Sequence, residues 1–236
     1  MPAMAQGQPA EPATLEILLA RAQHMAGHTV GELAGALGIG LPPEVRRAKG
    51  YLGRLLERTL GAAGVDPGSV TDFPALGVEL KTLPVDVRGR PRESTFVCHV
   101  NLKQIVETDW EHSRVREKLA CVLFVPIESA RDLAFDARRI GTPVLFRPSA
   151  HEQAVLRADF DEIVGRIGRG DLETLSAHVG HALQLRPKAA TGRARTRASD
   201  ADGAPLSTVP RAFYLRATFT AAILQNALPY LGSATR

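Results

Sequence analysis

Apolar side chains recur at helical spacing through the first third of the chain and predict three helices. Thr14 can cap the first helix, which we expect to end at Gly27. Thr29 and Glu32 have the spacing of a capping box and predict the start of the second helix. A stripe of leucines predicts the third helix over residues 49–60.

The pattern changes to strands in the middle of the chain. Segments rich in β-branched and other apolar residues occupy 77–84, 95–100, 121–127 and 143–147, and shorter strand candidates follow at 183–186 and 212–216. Further helices are expected at residues 113–120, 152–167 and 218–228. Helices before and after a run of strands predict an α/β or α+β fold around a central mixed sheet.

Composition narrows the class of protein. Of 236 residues, 44% are hydrophobic and 23% are charged, which excludes disorder of the whole chain. Two cysteines exclude a disulfide scaffold, and no apolar run approaches the roughly 18 residues of a membrane helix. Residues 1–13 lack the basic and apolar regions of a signal peptide, so we expect a short disordered leader on a cytoplasmic protein.

Charged and apolar residues alternate in the first predicted strand. Because strand side chains alternate between faces, Glu79 and Lys81 share one face while Val78 and Leu80 share the other. Asp72, in the preceding turn, completes a set that suits hydrolysis at phosphorus. Carboxylate oxygens are the ligands that Mg²⁺ prefers, and a lysine can orient water and stabilise charge in the transition state. The alternative is a solvated salt bridge on a half-buried strand.

Glu57 lies on the third predicted helix, away from its leucines. It shares a helix face with Gly53 and Gly61, four residues before and after it. Glycine weakens a helix interior, so two glycines here suggest that another group approaches this face closely. The alternative is an exposed carboxylate on a helix that happens to contain glycines.

Five segments together resemble the MutH family of methyl-directed mismatch repair endonucleases. They read KGYLGRLLE at 49–57, DFPALGVELKTLPVD at 72–86, GRPRESTFVC at 89–98, LRPKAA at 185–190 and PRAFYL at 210–215. The similarity runs from about residue 15 to residue 228. An Asp…Glu-x-Lys pattern is common to many nucleases, whereas the block through VELKT followed by RPKAA is far more specific.

The resemblance implies an α/β, restriction-endonuclease-like fold, with a central mixed β-sheet flanked by helices and two lobes around a DNA cleft. Residues 14–236 would form this single endonuclease domain. The N-terminal lobe would carry the catalytic residues, and the C-terminal lobe would carry a DNA-recognition segment at residues 184–216.

The resemblance also assigns roles to individual residues. Asp72, Glu79 and the Leu80 carbonyl would hold Mg²⁺, and Glu57 would join the metal shell. Lys81 would position the attacking water, and Lys118 would support the active site.

The activity implied is nicking of the unmethylated strand, 5′ to the G of hemimethylated GATC sites in double-stranded DNA. A MutL-type ATPase would activate the enzyme after mismatch recognition, which links it indirectly to MutS. The enzyme would be a cytoplasmic monomer with no membrane partner. No Walker-type phosphate-binding loop occurs in the sequence, so ATP hydrolysis would belong to the partner.

Two basic residues and a tyrosine are candidates for reading the DNA sequence. Arg186 and Lys188 end a predicted strand, and Arg and Lys are the usual donors to guanine O6 and N7 in the major groove. Tyr214 matches a family tyrosine placed near the adenine N6, where a methyl group would clash. The alternative for Tyr214 is a core aromatic beside Phe213.

Basic charge is concentrated in the same region. Residues 186–216 hold seven basic and two acidic residues. Their net charge, 7 − 2 = +5, exceeds the net charge of +4 of the whole chain. Residues 191–208 are poor in large apolar side chains and predict a long mobile loop whose arginines contact phosphates. The other candidate DNA-binding residues are Lys49, Arg193, Arg195 and Arg211.

Two other functions share these sequence features. One is a GATC-specific restriction-type endonuclease that cuts both strands without MutL. Such enzymes usually carry two copies of the domain or act as dimers, and this chain has a single copy. The other is a catalytically inactive GATC-binding module, although the full set of acidic residues and Lys81 favours a working enzyme.

Overall fold

The structure, a computed structural model, describes residues 8–42, 50–62, 71–130, 132–172, 175, 179–189, 191, 193–200 and 202–227. The chain divides into two compact units, each built from two segments. The first comprises Met1–Arg92 and Cys121–Phe146, and the second comprises Glu93–Ala120 and Arg147–Arg236.

Every helix and strand that the sequence predicts is present in the structure, with bounds shifted by a few residues. The helices are α1 (Leu15–Met25), α2 (Val30–Ala36), α3 (Tyr51–Leu60), α4 (Arg114–Leu119), α5 (Ala150–Gly168) and α6 (Ala217–Ala227). The strands are β1 (Glu79–Val85), β2 (Thr95–His99), β3 (Val122–Glu128), β4 (Val144–Phe146), β5 (Leu183–Pro187), β6 (Thr196–Ser199), β7 (Pro205–Thr208) and β8 (Arg211–Leu215).

The predicted caps begin the first two helices of the first unit. The Thr14 hydroxyl accepts a hydrogen bond from the backbone N–H of Ile17, as expected for a residue that precedes a helix. Thr29 and Glu32 form a complete capping box at the start of α2. The apolar sides of α1, α2 and α3 pack into one core with the inner residues of β1 and β3.

A three-stranded mixed sheet lies in the first unit. Its strand order is β1-β3-β4, in which β1 and β3 run parallel and β4 is antiparallel to β3. Parallel neighbours need a crossover connection, and here the connecting chain belongs to the second unit between Glu93 and Ala120. The residues of β3 from Val122 to Ile127 are all buried, as expected for a central strand.

The second unit contains an antiparallel sheet with strand order β2-β8-β5. Its core is aromatic. The ring of Phe160 on α5 stacks on that of Phe213 at 5.7 Å and meets Trp110 edge-on at 5.5 Å between centroids. Helix α5 begins with a second capping box, formed by Ser149 and Glu152.

The predicted loop at residues 191–208 contains a two-stranded hairpin, so the prediction of one long mobile loop is wrong for this segment. Strands β6 and β7 pair antiparallel, with Ser199 opposite Pro205. The Asp200 carboxylate accepts backbone hydrogen bonds from Asp202 and Ala204, and Gly203 has a positive φ of 79°. The hairpin lacks an apolar face on β7, which explains why the sequence pattern missed it.

The part of the predicted leader that the structure describes contacts the helices of the first unit. The Arg21 guanidinium donates to the carbonyls of Ala10 and Leu60, at 2.6 and 2.9 Å, and the Gln8 side chain donates to the carbonyl of Ala62. Residues 1–7 lie outside the described residues.

The α/β class and the restriction-endonuclease-like architecture are confirmed: sheets, one of them mixed, are flanked by helices. Within the described residues, none of the helices is both long enough and apolar enough to span a bilayer.

Candidate active site and nucleic-acid interface

Strand β1 carries a buried ion pair. The Lys81 ammonium donates a hydrogen bond to Oε1 of Glu79, which shows that the two side chains share one face of the strand, as predicted. Their side chains are 19% and 2% exposed. Burying a carboxylate is unfavourable unless charge and hydrogen bonds compensate it. The alternative of a solvated salt bridge is therefore wrong, and the pair is held inside the protein.

Asp72 is held beside this pair by a tight turn. Phe73 and Val78 exchange two backbone hydrogen bonds around the 3₁₀ helix Pro74–Leu76, which returns the chain sharply onto β1. Oδ2 of Asp72 then accepts a hydrogen bond of 2.8 Å from the backbone N–H of Leu80. The Asp72 carboxylate is thus hydrogen-bonded to Leu80, the residue between Glu79 and Lys81 in β1.

Glu57 joins the same cluster from helix α3. Burial raises the pKa of the Glu57 carboxyl, and the Asp72 carboxylate raises it further, with a smaller contribution from Glu79. The charges of Arg54 and Lys81 oppose this rise. Glu57 is half-buried rather than exposed. The four charged residues proposed from the sequence therefore lie within electrostatic range of one another in the first unit.

The two glycines beside Glu57 have different explanations. A Cβ on Gly53 would lie 3.7 Å from Oε1 of Glu57, which is an ordinary contact. Gly61 is not in the helix interior but ends α3 with a φ of 86°. A side chain at this glycine would collide with the carbonyl oxygen of Ala10. The group that approaches Gly61 closely is therefore the N-terminal segment of the same chain. The interpretation of Gly61 as part of a face that another group approaches near Glu57 is wrong.

The remaining candidates from the sequence are Leu80, Lys118 and Lys49. Leu80 is buried in β1, beside the acidic residues, where its carbonyl was expected to help bind a metal. Lys118 lies on α4 in the second unit, and its supporting role stays a prediction. Lys49 lies outside the described residues.

The acidic residues are not a preassembled metal site. Over the part of the chain that the structure describes, no three His, Cys, Asp or Glu side chains form a group that could already hold a metal ion. The oxygens of Glu79 and Asp72 accept hydrogen bonds from Lys81 and Leu80 instead. Carboxylates this close repel one another without a cation between them, and Asp72 and Glu79 both raise the pKa of Glu57.

In the second unit, two aromatic rings in contact lie between two cationic side chains and form a row on the antiparallel sheet. The Arg186 guanidinium lies over the Tyr214 ring at 5.6 Å, Tyr214 meets Phe96 edge-on at 5.6 Å, and the Lys188 ammonium lies over the Phe96 ring at 5.2 Å. Arg186 also donates a 2.6 Å hydrogen bond to the Ser94 hydroxyl. The two residues expected to read bases thus share one surface with the tyrosine.

Tyr214 is not a core residue. Phe213, its neighbour in β8, is fully buried, whereas Tyr214 points to the other face and is half-buried. The core-aromatic alternative therefore applies to Phe213. Phe96 was missed by the sequence reasoning, because its place between Arg186, Lys188 and Tyr214 depends on strand pairing between residues more than 80 positions apart.

The basic residues of the recognition segment differ in what they contact. Arg193 and Arg195 are exposed and shortly precede β6, and the Arg195 guanidinium donates a hydrogen bond to the carbonyl of Ala194 at 3.0 Å. Arg211 instead donates hydrogen bonds to the carbonyls of Leu172 and Leu175, at 2.9 and 3.4 Å. Its guanidinium is hydrogen-bonded to the protein backbone, which favours a structural role over the predicted DNA contact.

A further residue missed in the sequence is Asp159, on α5. It is buried at 2% exposure, and its carboxylate accepts three backbone hydrogen bonds from residues 181–183 at the start of β5. The available signal was an acidic residue between Leu156 and Ile163 in the apolar stripe of a helix.

Comparison with known proteins places these features in one family. Residues 63–159 match the family described as DNA mismatch repair enzyme MutH. A protein of Salmonella paratyphi B, named DNA mismatch repair protein MutH, is 49% identical over 214 residues, covering 90% of this chain and 92% of the relative. The protein of the same name in Salmonella paratyphi A is 48% identical over 217 residues, covering 92% and 93%.

Proposed function

This chain belongs to the MutH family and is a DNA mismatch repair endonuclease, and from that premise we propose that it nicks the unmethylated strand of hemimethylated GATC sites. The observation that carries the catalytic part of the proposal is the cluster of Glu57, Asp72, Glu79 and Lys81 on three neighbouring segments of the first unit. The recognition part is supported by the row of Arg186, Tyr214, Phe96 and Lys188 in the second unit.

We propose Mg²⁺ as the cofactor, and the residues fit it. Asp72 and Glu79 supply carboxylate oxygens, the Leu80 carbonyl is the third candidate ligand, and Glu57 lies within range of both carboxylates. The raised pKa of Glu57 reflects crowding of negative charge in a partly buried place, and a divalent cation would relieve it. When bound, the ion stabilises charge on the scissile phosphate and acidifies water.

The side chains of the cluster have separate roles in the proposed reaction. Lys81 orients the attacking water and stabilises the negative charge that develops on the phosphate oxygens in the transition state. Glu79 holds the Lys81 ammonium in place through their hydrogen bond. Asp72, tied to the Leu80 N–H, keeps its carboxylate at a fixed position along β1. The family resemblance also assigns a supporting role to Lys118, which lies on α4.

Base recognition falls to the second unit. Arg186 and Lys188 donate to guanine O6 and N7 in the major groove, where Arg and Lys make the commonest specific contacts. The Arg186 guanidinium is oriented by the Tyr214 ring and the Ser94 hydroxyl, so less side-chain freedom is lost on binding. Tyr214 lies near the adenine N6, where an added methyl group would displace its contacts. Arg193 and Arg195 bind phosphates.

Activation by a MutL-type ATPase, which follows mismatch recognition by MutS, completes the proposal. The enzyme acts as a monomer, because a nickase needs one active site for each event. Its substrate is chromosomal DNA, so we assign it to the bacterial cytoplasm.

A plasmid assay tests the proposal. Purified protein is incubated with Mg²⁺ and a plasmid containing one hemimethylated GATC site, with and without MutL, and nicked and linear products are separated on a gel. We expect nicked circles, stimulated by MutL, with the break in the unmethylated strand. A doubly methylated plasmid is the control.

Other products of that assay would identify the competing functions. Linear DNA formed without MutL would indicate a restriction-type enzyme. Methyl-sensitive DNA binding with no nicking by folded protein, at any Mg²⁺ concentration, would indicate an inactive binding module. Glu79→Gln serves as the matched negative control, since it should abolish nicking while DNA binding is kept.

A further inference from the structure

Asp159 is a buried carboxylate with an unusual set of hydrogen-bond donors. Its Oδ1 accepts the backbone N–H of His181 at 2.8 Å, and its Oδ2 accepts those of Ala182 and Leu183 at 2.6 and 2.8 Å. The residue is 2% exposed, and the helix positions around it are apolar. A buried carboxylate is tolerated only when strong hydrogen bonds compensate the loss of water, and three backbone donors supply them here.

The backbone around Asp159 is shaped to fit the carboxylate. Gly180 has a φ of 86°, in the region that only glycine adopts readily. A Cβ there would collide with the Leu183 carbonyl and would lie 3.1 Å from the Asp159 carboxyl carbon. The glycine therefore lets residues 180–183 wrap around the carboxylate, so that three successive N–H groups point toward it.

This anchor lies at the start of the strand that carries the proposed recognition residues. Leu183 is the first residue of β5, and Arg186 follows three residues later, roughly 10 Å along an extended strand. The other end is attached through the Lys188 N–H to the Pro210 carbonyl, at 2.7 Å. Pairing with β8 fixes the place of β5 within the sheet. The hydrogen bonds to Asp159 fix the position of β5 along its own direction.

We propose that Asp159 is a positioning residue for DNA sequence recognition. It acts through its hydrogen bonds to residues 181–183, which hold β5 where Arg186 and Lys188 reach the base edges. This inference rests on the proposed function of those two residues. Because the catalytic cluster belongs to the first unit, loss of the anchor should weaken substrate recognition more than the chemical step.

The variant that tests this is Asp159→Asn, which keeps the shape of the side chain. Its amide has one acceptor oxygen and an NH₂ group, so at least one backbone N–H then faces a donor. Asp161→Asn is the matched control. Asp161 lies on the same helix, its side chain is 56% exposed, and its carboxylate forms a 3.7 Å ion pair with Arg157.

Steady-state nicking of hemimethylated DNA gives the first readout. For Asp159→Asn we expect KM to rise by about 10-fold with kcat within about threefold of wild type, since a lost positioning interaction acts on substrate binding. The preference for GATC over sites with one base changed should fall by about 10-fold as well. Asp161→Asn should match wild type in all three quantities.

A merely structural role predicts a different result. It would lower the unfolding midpoint and reduce kcat at constant KM as the folded fraction falls, and sequence preference would not change. That pattern, or wild-type KM and sequence preference in Asp159→Asn, would overturn the inference. Faster amide hydrogen exchange at residues 181–183 in the variant, with unchanged exchange in β1, would support it without depending on activity.

Gly180→Ala keeps the inference testable if Asp159→Asn does not fold. It disturbs the same contact from the other side, and the same rise in KM with retained kcat is expected; a KM equal to that of wild type would contradict it. These experiments distinguish failure of the proposed function from failure of the proposed role of Asp159. If wild-type protein does not nick GATC sites, the proposed function is wrong; if it does and both variants match it, only the role of Asp159 is wrong.

Discussion

The Asp72 carboxylate accepts a hydrogen bond from the backbone N–H of Leu80, eight residues later, at 2.8 Å. If Asp72 binds the metal as proposed, its side chain has two tasks, because its hydrogen bond to Leu80 also fixes the end of the turn before β1. The two tasks depend on different properties of the side chain: the hydrogen bond needs an acceptor oxygen, whereas metal binding needs negative charge.

Asp72→Asn should separate these tasks. The amide oxygen can still accept from Leu80, so we expect a thermal midpoint close to that of wild type, while nicking falls at least about 100-fold through loss of the charge that holds the metal. Asp72→Ala should lose both activity and stability. Equal midpoints for the two variants would show that the hydrogen bond contributes nothing to the fold.

Glu57→Gln should inactivate the enzyme and stabilise the metal-free protein. Burial and the neighbouring Asp72 raise the pKa of Glu57, so the folded state holds this proton more tightly than the unfolded state does, and stability contributed by the group increases as pH falls. At pH 7 its charge is therefore destabilising. Removing it should raise the thermal midpoint, and only slightly, because the side chain is half-buried and water screens its charge.

The pH dependence provides the check on that explanation. The difference in thermal midpoint between Glu57→Gln and wild type should shrink as the pH is lowered from 7 through the pKa of Glu57, because wild-type protein then becomes neutral at this position. Calorimetry in metal-free buffer measures it. A difference that is constant with pH would mean that the charge is not the cause.

Lys81→Met should destabilise the protein as well as abolish nicking. It leaves the Glu79 carboxylate, with a side chain 2% exposed, without the ammonium that compensates its burial, and breaking a buried pair costs about 3 kcal/mol. The double variant with Glu79→Gln should recover much of this stability but no activity. Denaturant titration of the four proteins of this cycle measures the coupling between the two residues.

Arg195→Ala should weaken DNA binding uniformly. Arg195 is exposed near the hairpin, and a phosphate contact there should contribute about one unit to the slope of log affinity against log salt concentration, without altering the preferred sequence. Fluorescence anisotropy at several salt concentrations gives the slope. Cleavage redirected to sites other than GATC would contradict the assignment to phosphate contact.

Tyr214→Phe should reduce discrimination against methylated DNA. The ring contacts with Arg186 and Phe96 are kept, at 5.6 Å each, while the hydroxyl is lost. We expect the ratio of nicking rates on unmethylated and methylated strands to fall by about 10-fold, with nicking of unmethylated GATC changed less. An unchanged ratio would place methyl discrimination on another residue.

The sequence predicted what depends on near neighbours. Thr14 and the Thr29–Glu32 capping box are local signals, and both caps are present. The resemblance brought Glu57, Asp72, Glu79 and Lys81 together as candidates, but spacing alone could not distinguish a buried ion pair from a solvated one.

What the sequence could not predict depends on contacts between distant residues. Arg211 looks like any other arginine of a basic segment, yet its guanidinium donates hydrogen bonds to the carbonyls of Leu172 and Leu175, 39 and 36 residues away. Asp159 gains its role from residues more than 20 positions later. The β6–β7 hairpin is held by the Asp200 turn rather than by an apolar pattern.

The strand order also determines what a growing or shortened chain contains. Strand β8, at residues Arg211–Leu215, is the last strand of the part of the chain that the structure describes and the middle strand of the β2-β8-β5 sheet. Synthesis therefore completes the strands described in the first unit, with β4 ending at Phe146, well before the β2-β8-β5 sheet has its central member. A chain ending before residue 211 would carry Glu57, Asp72, Glu79 and Lys81 while β2 and β5 had no strand between them.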